Sequence, residues 1–336
     1  MANDVNKVSA ITSFDVARVA GVSRSAVSRA FTPGTSISSD TRMRVLKAAS
    51  DLGYRVNLVA RGLNKQRTDL VGMIVAGLTT TYRSEQIDAL AKQLVREGFR
   101  PMLFCIDDGK DAGHLLSILL NYQVSGVVIT SDAPPVEICA ECTRMQVPLA
   151  LVHRADELPF VDRINGDNVK GGRLAAETLI KAGRKHLIAI KHSAISYSEV
   201  TRTTAFEDRA AELGVATEII EVHANEYSGG AAAAGEVVAR LSKRPGVFCT
   251  TDSIALGLLD ALRHKLGIKV PQELSLIGYD DIPQASWAFA ELTTIKQSVE
   301  DFAQVTVNML KERIKNPDAA ARNEIVDVKL IMRGTV

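Results

Sequence analysis

The chain is poor in cysteine, with four in 336 residues, Cys105, Cys139, Cys142 and Cys249, too few for a disulfide-stapled secreted scaffold. Cys139 and Cys142 form a CxxC, but no second pair or histidine cluster accompanies them, and VEICAECTRM has the pattern of a helix. All four are therefore expected as reduced, buried thiols, with no metal site. Long apolar runs are also missing: no window approaches the roughly 18 uninterrupted apolar residues of a membrane span. MANDVNKVSA lacks the basic and apolar stretches of a secretory leader, so a cytoplasmic location is expected. No G-x-G-x-x-G opens a helix after the first strand of either half of the body, and G-x-x-x-x-G-K, G-x-S-x-G and H-E-x-x-H do not occur. Nucleotide cofactors, phosphotransfer and the common hydrolytic sites thus lack their machinery. No cofactor and no enzymatic activity are expected.

Net charge looks equally unhelpful, because 40 basic residues nearly balance 39 acidic ones. The balance conceals a division. Residues 1–67 carry eleven Lys and Arg against four Asp, a net charge of +7, whereas residues 68–336 carry a net −6. A basic head on an acidic body is the electrostatic footprint of a polyanion-binding module joined to something else. The length agrees, since domains usually hold roughly 100–200 residues.

The head has the punctuation of a helix-turn-helix. Thr12 stands three residues before Asp15, a capping-box spacing, and Gly21 can take the positive φ that ends a helix in a tight turn. Ser23 is placed to cap a second helix, Arg24 to Phe31. At about 100° per residue, Arg24, Ser25, Ser28 and Arg29 share an arc of about 140°, and Ala26, Val27 and Ala30 lie on the other side. One face is polar and basic, the other small and apolar, the division expected of a helix that packs on a partner and enters the major groove. A third helix begins near Ser38 and ends at Gly53-Tyr54.

These residues carry a resemblance. Asp15-Val-Ala-x-x-Ala-Gly-Val-Ser-x-x-x-Val-Ser-Arg29, Ser38-x-x-Thr41-Arg and Leu52-Gly-Tyr-x-x-Asn57-x-x-Ala60-Arg-x-Leu63 are similar to the headpiece of the lactose repressor and galactose repressor family. The resemblance implies that Thr12, Ser23, Arg24, Ser25, Ser28 and Arg29 face DNA, with Arg24, Ser25 and Arg29 reading base edges. It also implies a hinge, residues 57–68, in which Asn57, Ala60, Arg61 and Leu63 enter the minor groove as a helix formed on the operator. The family usually has proline two residues after the tyrosine; Val56 stands there.

From Leu70 onward, short apolar runs near 70–76, 101–106, 126–130 and 148–152 alternate with helical segments near 85–97, 111–122 and 136–145. The alternation restarts after Asn165, with helices at 168–182, 201–213, 228–242 and 252–265 and strands at 186–191, 217–222, 247–250 and 274–278. A last strand is expected over Glu324 to Met332. Near-continuous apolar strands separated by helices mean buried parallel sheets. Two such lobes in tandem place a ligand between their facing strand ends. The expected fold is therefore an α-helical helix-turn-helix headpiece, residues 1–56, and a two-lobed α/β core of two doubly wound parallel sheets, residues 69–336.

Asp167-Asn168-x-x-Gly171-Gly, Asp252-x-Ile-Ala-Leu-Gly257, Gly278-Tyr-Asp280-Asp and Leu292-Thr-Thr-Ile-x-Gln297 extend the family resemblance through this core, which is similar to the sugar-binding periplasmic proteins. It implies crossings between lobes near 166, 297 and 326, giving one lobe of about 69–166 and 298–326 and another of about 167–297 and 327–336. It further implies that Arg202 pairs with an effector and Asp280 accepts from its hydroxyls, with Tyr82, Arg83, His153 and Asn225 at other pocket positions. Arg83 stands where the family commonly has an aromatic ring, which would suit an acidic effector; an exposed helix arginine accounts for it equally well.

The expected function is a homodimeric transcriptional regulator, a repressor, that binds near-palindromic operator DNA and responds to a small molecule, a sugar or sugar derivative, in the cleft. Homodimerisation follows from the few contacts that one helix-turn-helix makes with a half-site. The alternatives are a solute-binding sensor or transport protein with the same core, or an α/β enzyme acting on a sugar or nucleoside.

Overall fold

A computed structural model describes residues 11–32, 34–55, 68–76, 78–106, 112–130, 136–155, 157–193 and 196–336. The chain divides into two units, Met1–Gln66 and Arg67–Val336.

In the first unit the described residues form three helices, α1 (Ser13–Ala20), α2 (Arg24–Ala30) and α3 (Ser39–Leu52). The Asp15 carboxylate accepts hydrogen bonds from the Thr12 N–H at 3.0 Å and its hydroxyl at 2.7 Å, which lowers the Asp15 pKa from the usual carboxylate range. Gly21 takes φ 63° and lets the chain turn into α2. Ser23 caps α2 by accepting from the Ala26 N–H, and Ser38 caps α3 by accepting from the Thr41 N–H, both at 3.2 Å. Val16, Ala17 and Ala20 of α1 meet Val27 and Ala30 of α2 and Val45, Ala48 and Ala49 of α3 in one small core.

The second unit holds two six-stranded sheets. The first contains β1 (Leu70–Ala76), β2 (Arg100–Ile106), β3 (Gly126–Ile129), β4 (Leu149–Val152), β5 (Asp162–Gly166) and β11 (Asn323–Val326) in the order β11-β5-β4-β3-β1-β2. The second contains β6 (His186–His192), β7 (Ala216–Val222), β8 (Gly246–Cys249), β9 (Ser275–Asp280), β10 (Thr293–Gln297) and β12 (Val328–Ile331) in the order β12-β10-β9-β8-β6-β7. The helices of the first lobe are α4 (Thr81–Arg96), α5 (Ala112–Asn121) and α6 (Val136–Arg144); those of the second are α7 (Asn168–Lys181), α8 (Tyr197–Glu212), α9 (Tyr227–Val238) and α10 (Asp252–Asp260). α11 (Val299–Lys315) follows β10 and packs Phe302, Val307 and Leu310 into the first lobe. The chain passes between sheets three times: after β5, after β10, and between β11 and β12.

Several details differ from the sequence expectation. β12 runs antiparallel to β10, so the second sheet is parallel except at that edge. Glu324 to Met332 is not one strand but parts of two, in different sheets. The break falls at Asp327, whose carboxylate takes the Lys170 ammonium at 2.5 Å and accepts from the Val328 N–H at 2.9 Å. α8 starts at Tyr197, four residues before the expected 201. Cys105 is exposed rather than buried, whereas Cys139 and Cys142 are buried in α6. Burial, and then the neighbouring Cys139, pushes the Cys142 thiol up to about 12, an unreactive environment.

Neither β5 nor α11 is anticipated from the sequence, and one buried ion cluster joins them. Asp162 of β5, with no exposed surface, receives Arg313 of α11 through Nη2 at 2.6 Å and Nε at 3.2 Å, and Arg322 through Nη2 at 2.8 Å. The paired guanidinium groups satisfy a carboxylate that would otherwise be costly to bury.

Candidate functional site

Two surfaces carry the candidate functional groups. On the headpiece, Thr12, Ser23, Arg24, Ser25, Ser28 and Arg29 are all exposed, while Val27 and Ala30 of the same helix are buried. Ser23 and Ser25 share a hydrogen bond between hydroxyls at 2.8 Å. Arg29 folds back so that Nε donates to the Ser25 carbonyl at 3.3 Å. Arg18 and Arg44 have acidic partners, Asp15 and Asp40; among the described residues Arg24 and Arg29 have none. The exposed face of α2 thus offers two guanidinium groups and two hydroxyls, the donor set that matches guanine O6 and N7 and phosphate oxygens. Asn57, Ala60, Arg61 and Leu63 lie outside the described residues.

The second surface is the cleft between the lobes of the core. Tyr82 and Arg83 of α4, His153 after β4, Arg202 of α8, Asn225 before α9 and Asp280 at the end of β9 all line one cavity of about 100 Å³. Six residues spread over two hundred positions converge because each follows, or nearly follows, the carboxyl end of a strand, where helices begin and backbone groups are free.

Arg202 is buried and held from three sides. Its Nε donates to Asn168 Oδ1 at 2.8 Å, its Nη1 donates to the Thr250 carbonyl at 2.9 Å and stands 4.0 Å from Asp280 Oδ1, and its guanidinium carbon lies 3.6 Å from the Tyr279 ring centroid. Asp280 is equally buried and accepts from Gln297 Nε2 at 2.7 Å. Burial raises the Asp280 pKa against the opposing pull of Arg202, and nearby Asp252 adds to the rise. Asp280 and Asp281 have φ of 122° and 61°, conformations that L-residues seldom adopt. The turn is fixed from below, where the buried Asp252 carboxylate accepts from the Ile282 N–H at 3.0 Å and from the Thr294 hydroxyl at 2.6 Å.

Across the cleft, His153 Nε2 accepts from Gln86 Nε2 at 2.8 Å, and its ring packs 4.7 Å from Phe302. Burial, then the charges of Arg202 and Arg83, lower its pKa to about 3, so it is neutral and cannot serve as an acidic-pH switch in the usual range.

Gln86, Glu199 and Gln297 are among the cavity residues that escaped the sequence expectation. Glu199 is buried, accepts from Thr250 Oγ1 and Asn225 Nδ2 at 2.8 Å each and from the His192 N–H at 3.1 Å, and so fixes Asn225. A spacing signal existed for two of them, since Glu199 lies three residues before Arg202 and Gln86 four after Tyr82, each on the same helix face. Trp287 and Tyr197 do not line the cavity; Trp287 is half-exposed and pairs with Phe289 at 5.8 Å. Tyr82, Asp280 and Gln297 also form one wall of a wider cleft of about 570 Å³. Two of its basic groups, Lys92 and Lys296, are paired with Asp88 and Asp281.

The cavity is chemically even-handed. Arg83 and Arg202 face the carboxyl groups of Glu199 and Asp280, and serine, threonine and amide groups fill most of the remaining wall. At about 100 Å³ it is smaller than the roughly 300–1,000 Å³ of ligand pockets, so a ligand of sugar size requires the lobes to part. Among the described residues no group of three or more His, Cys, Asp or Glu side chains is disposed to hold a metal ion, and no helix is long and apolar enough to cross a membrane.

Comparison with known proteins places both surfaces in context. Residues 14–57 match the model of bacterial regulatory proteins of the lacI family, and residues 176–336 match the periplasmic binding protein-like domain. The chain is 30% identical over 341 residues to the HTH-type transcriptional repressor PurR of Haemophilus influenzae, with 96% of this chain and 97% of that protein covered. It is 27% identical over 339 residues to the ribose operon repressor of the same organism, with the same coverage. Among solved structures, the Lac repressor bound to ONPG in the repressed state is similar with a TM-score of 0.86 at 24% identity, covering 98% of this chain and 100% of that one.

Proposed function

The chain belongs to the lactose repressor and galactose repressor family of DNA-binding transcriptional regulators, and on that footing we propose that it represses transcription as a homodimer, releasing or gripping its operator according to a neutral, polyhydroxylated effector in the interlobe cleft. The observation that carries the effector class is the make-up of the cavity wall: two guanidinium groups face the carboxyl groups of Glu199 and Asp280, and hydroxyl and amide groups fill most of the rest. Such a wall, in which donors and acceptors are mixed, suits a sugar, whose hydroxyls both donate and accept, better than a phosphate, which only accepts. A flat base is disfavoured because Tyr82 is the only aromatic ring among the described lining residues apart from the His153 imidazole.

In this proposal Arg24, Ser25 and Arg29 read base edges, while Thr12, Ser23 and Ser28 fix the headpiece on the backbone. Residues Asn57, Ala60, Arg61 and Leu63 carry the signal between core and headpiece. Tyr82, Arg83, His153, Arg202, Asn225 and Asp280 hold the effector. The exposed Trp287–Phe289 pair is suited to meeting its copy across a two-fold axis, since clustered exposed aromatics mark interfaces. The setting is cytoplasmic, and no catalysis is involved.

The test is enrichment of the full chain's preferred site from random duplex DNA, followed by titration at several salt concentrations. One near-palindromic sequence should emerge, and log affinity for it should fall steeply and linearly with log salt. Arg29→Ala should cost about 1–3 kcal/mol on that sequence and far less on random DNA. Absence of any enriched sequence, or equal losses on both DNAs, would remove α2 from base reading.

A further inference from the structure

Phe14, the second residue of α1, is 65% exposed. The rest of its helix behaves differently, because Val16, Ala17 and Ala20 all enter the headpiece core while Phe14 takes no part in it. Isolated exposed apolar residues are ordinary and by themselves signify nothing. The position of this one is what matters. The Arg24 guanidinium carbon lies 5.1 Å from the Phe14 ring centroid, within the range of a cation–π contact. Arg24 is the first residue of α2 and belongs to its exposed basic face. Any surface that brings Arg24 to a base edge therefore brings the Phe14 ring to the same place.

A phenyl ring has no hydrogen-bonding group, and its negative face is repelled by phosphate oxygens, so it has little to gain from the DNA backbone. The floor of the major groove presents one apolar group, the 5-methyl of thymine. We propose that Phe14 is a base-reading residue that packs on the 5-methyl of a thymine beside the base pair met by Arg24. The inference rests on the DNA-binding face assigned to α2. Recognition would then combine an apolar contact from α1 with donor contacts from α2, and the neighbouring ring would restrict the Arg24 side chain before DNA arrives, so that less side-chain freedom is lost on binding.

The two assignments are tested separately. Failure of the full chain to enrich any sequence from random DNA would defeat the assignment of α2, whatever Phe14 does. On the enriched site, each thymine of one half-site is replaced in turn by deoxyuridine, which removes only the methyl group. One position should weaken the parent protein about fourfold, the worth of one buried methyl-sized group. The same replacement should leave Phe14→Ala unchanged, while Phe14→Leu, which keeps apolar bulk without the ring, should retain part of the discrimination. Neither variant touches the headpiece core, and the parent's deoxyuridine scan needs no variant. A parent protein indifferent to every thymine methyl overturns the proposal. So does a Phe14→Ala variant that keeps the full penalty.

Discussion

Asp280 combines three unfavourable circumstances, a buried carboxyl, a φ of 122° and a neighbouring buried acid, Asp252. Burial raises the pKa of both carboxyls, with hydrogen bonds from Thr294 and Ile282 opposing the rise at Asp252. Their ordinary value is about 4, so between that pH and the raised values the folded core binds more protons than the unfolded chain. The sign follows: the stability linked to these groups is whole below about pH 4 and is lost as pH climbs through the raised values. Asp280→Asn removes one of them, so from about pH 5 to about pH 8 the parent's melting temperature should fall more than the variant's. Parallel melting curves across that range would mean that Asp280 is not held neutral by its surroundings. At this scale much of the cavity lining was legible, since Arg202, Asp280, Tyr82, His153, Arg83 and Asn225 were expected at the cleft and all line it. Gln297 was not, although its own motif was noticed, because its role depends on an amide reaching from a crossing strand to Asp280, a contact across seventeen residues that no local spacing encodes.

Elements meet in the second lobe at distances that only glycine permits. A Cβ on Gly230 of α9 would stand 1.8 Å from the Ile254 carbonyl oxygen, and one on Gly257 of α10 would stand 1.8 Å from the Tyr227 carbonyl oxygen. The two helices thus touch backbone to backbone, and Gly230→Ala should destabilise the core by about 3 kcal/mol, the upper part of the usual overpacking range. Gly235, on the exposed side of α9, meets nothing within 4 Å. Gly235→Ala should therefore stabilise by about 0.5–1 kcal/mol, because alanine loses less backbone freedom in a helix. Urea melts of the two variants check both signs, and a neutral Gly230→Ala would show that the helices are farther apart than described. Most elements could be read from alternating apolar runs and caps. Those that could not had specific reasons. β5, Asp-Arg-Ile-Asn-Gly, is short and mostly polar in sequence, and its burial depends on Arg313 and Arg322 neutralising Asp162. The β11 to β12 segment alternates without a turn signal, yet changes sheets at Asp327.

At the scale of the molecule, the uneven charge was the most informative feature of the sequence, since a net of +7 over residues 1–67 against −6 over the remainder already separated a DNA-binding head from a sensing body. The division into units falls at nearly the same point, between Gln66 and Arg67. What the sequence did not yield is the size of the cleft, because that depends on how closely the lobes approach. Gln284 Nε2 of the second lobe donates to Thr81 Oγ1 of the first at 3.2 Å, and Tyr82 packs against the second lobe's core. A ligand that parts or tightens these contacts changes the relation of the lobes, and an effector can shift operator affinity only by as much as it discriminates between such states. In the proposed mechanism the cleft around Arg202 and Asp280 controls DNA binding. The most direct test of this control is fluorescence anisotropy of the full chain on its enriched operator, with the metabolite recovered from the natively purified protein by mass spectrometry added to saturation. Operator affinity should change by about 5- to 150-fold, the usual span of allosteric coupling, and Arg202→Ala should bind the operator as the parent does while showing no change on adding that metabolite. An operator affinity indifferent to the metabolite in the parent, or an undiminished response in Arg202→Ala, would contradict the account.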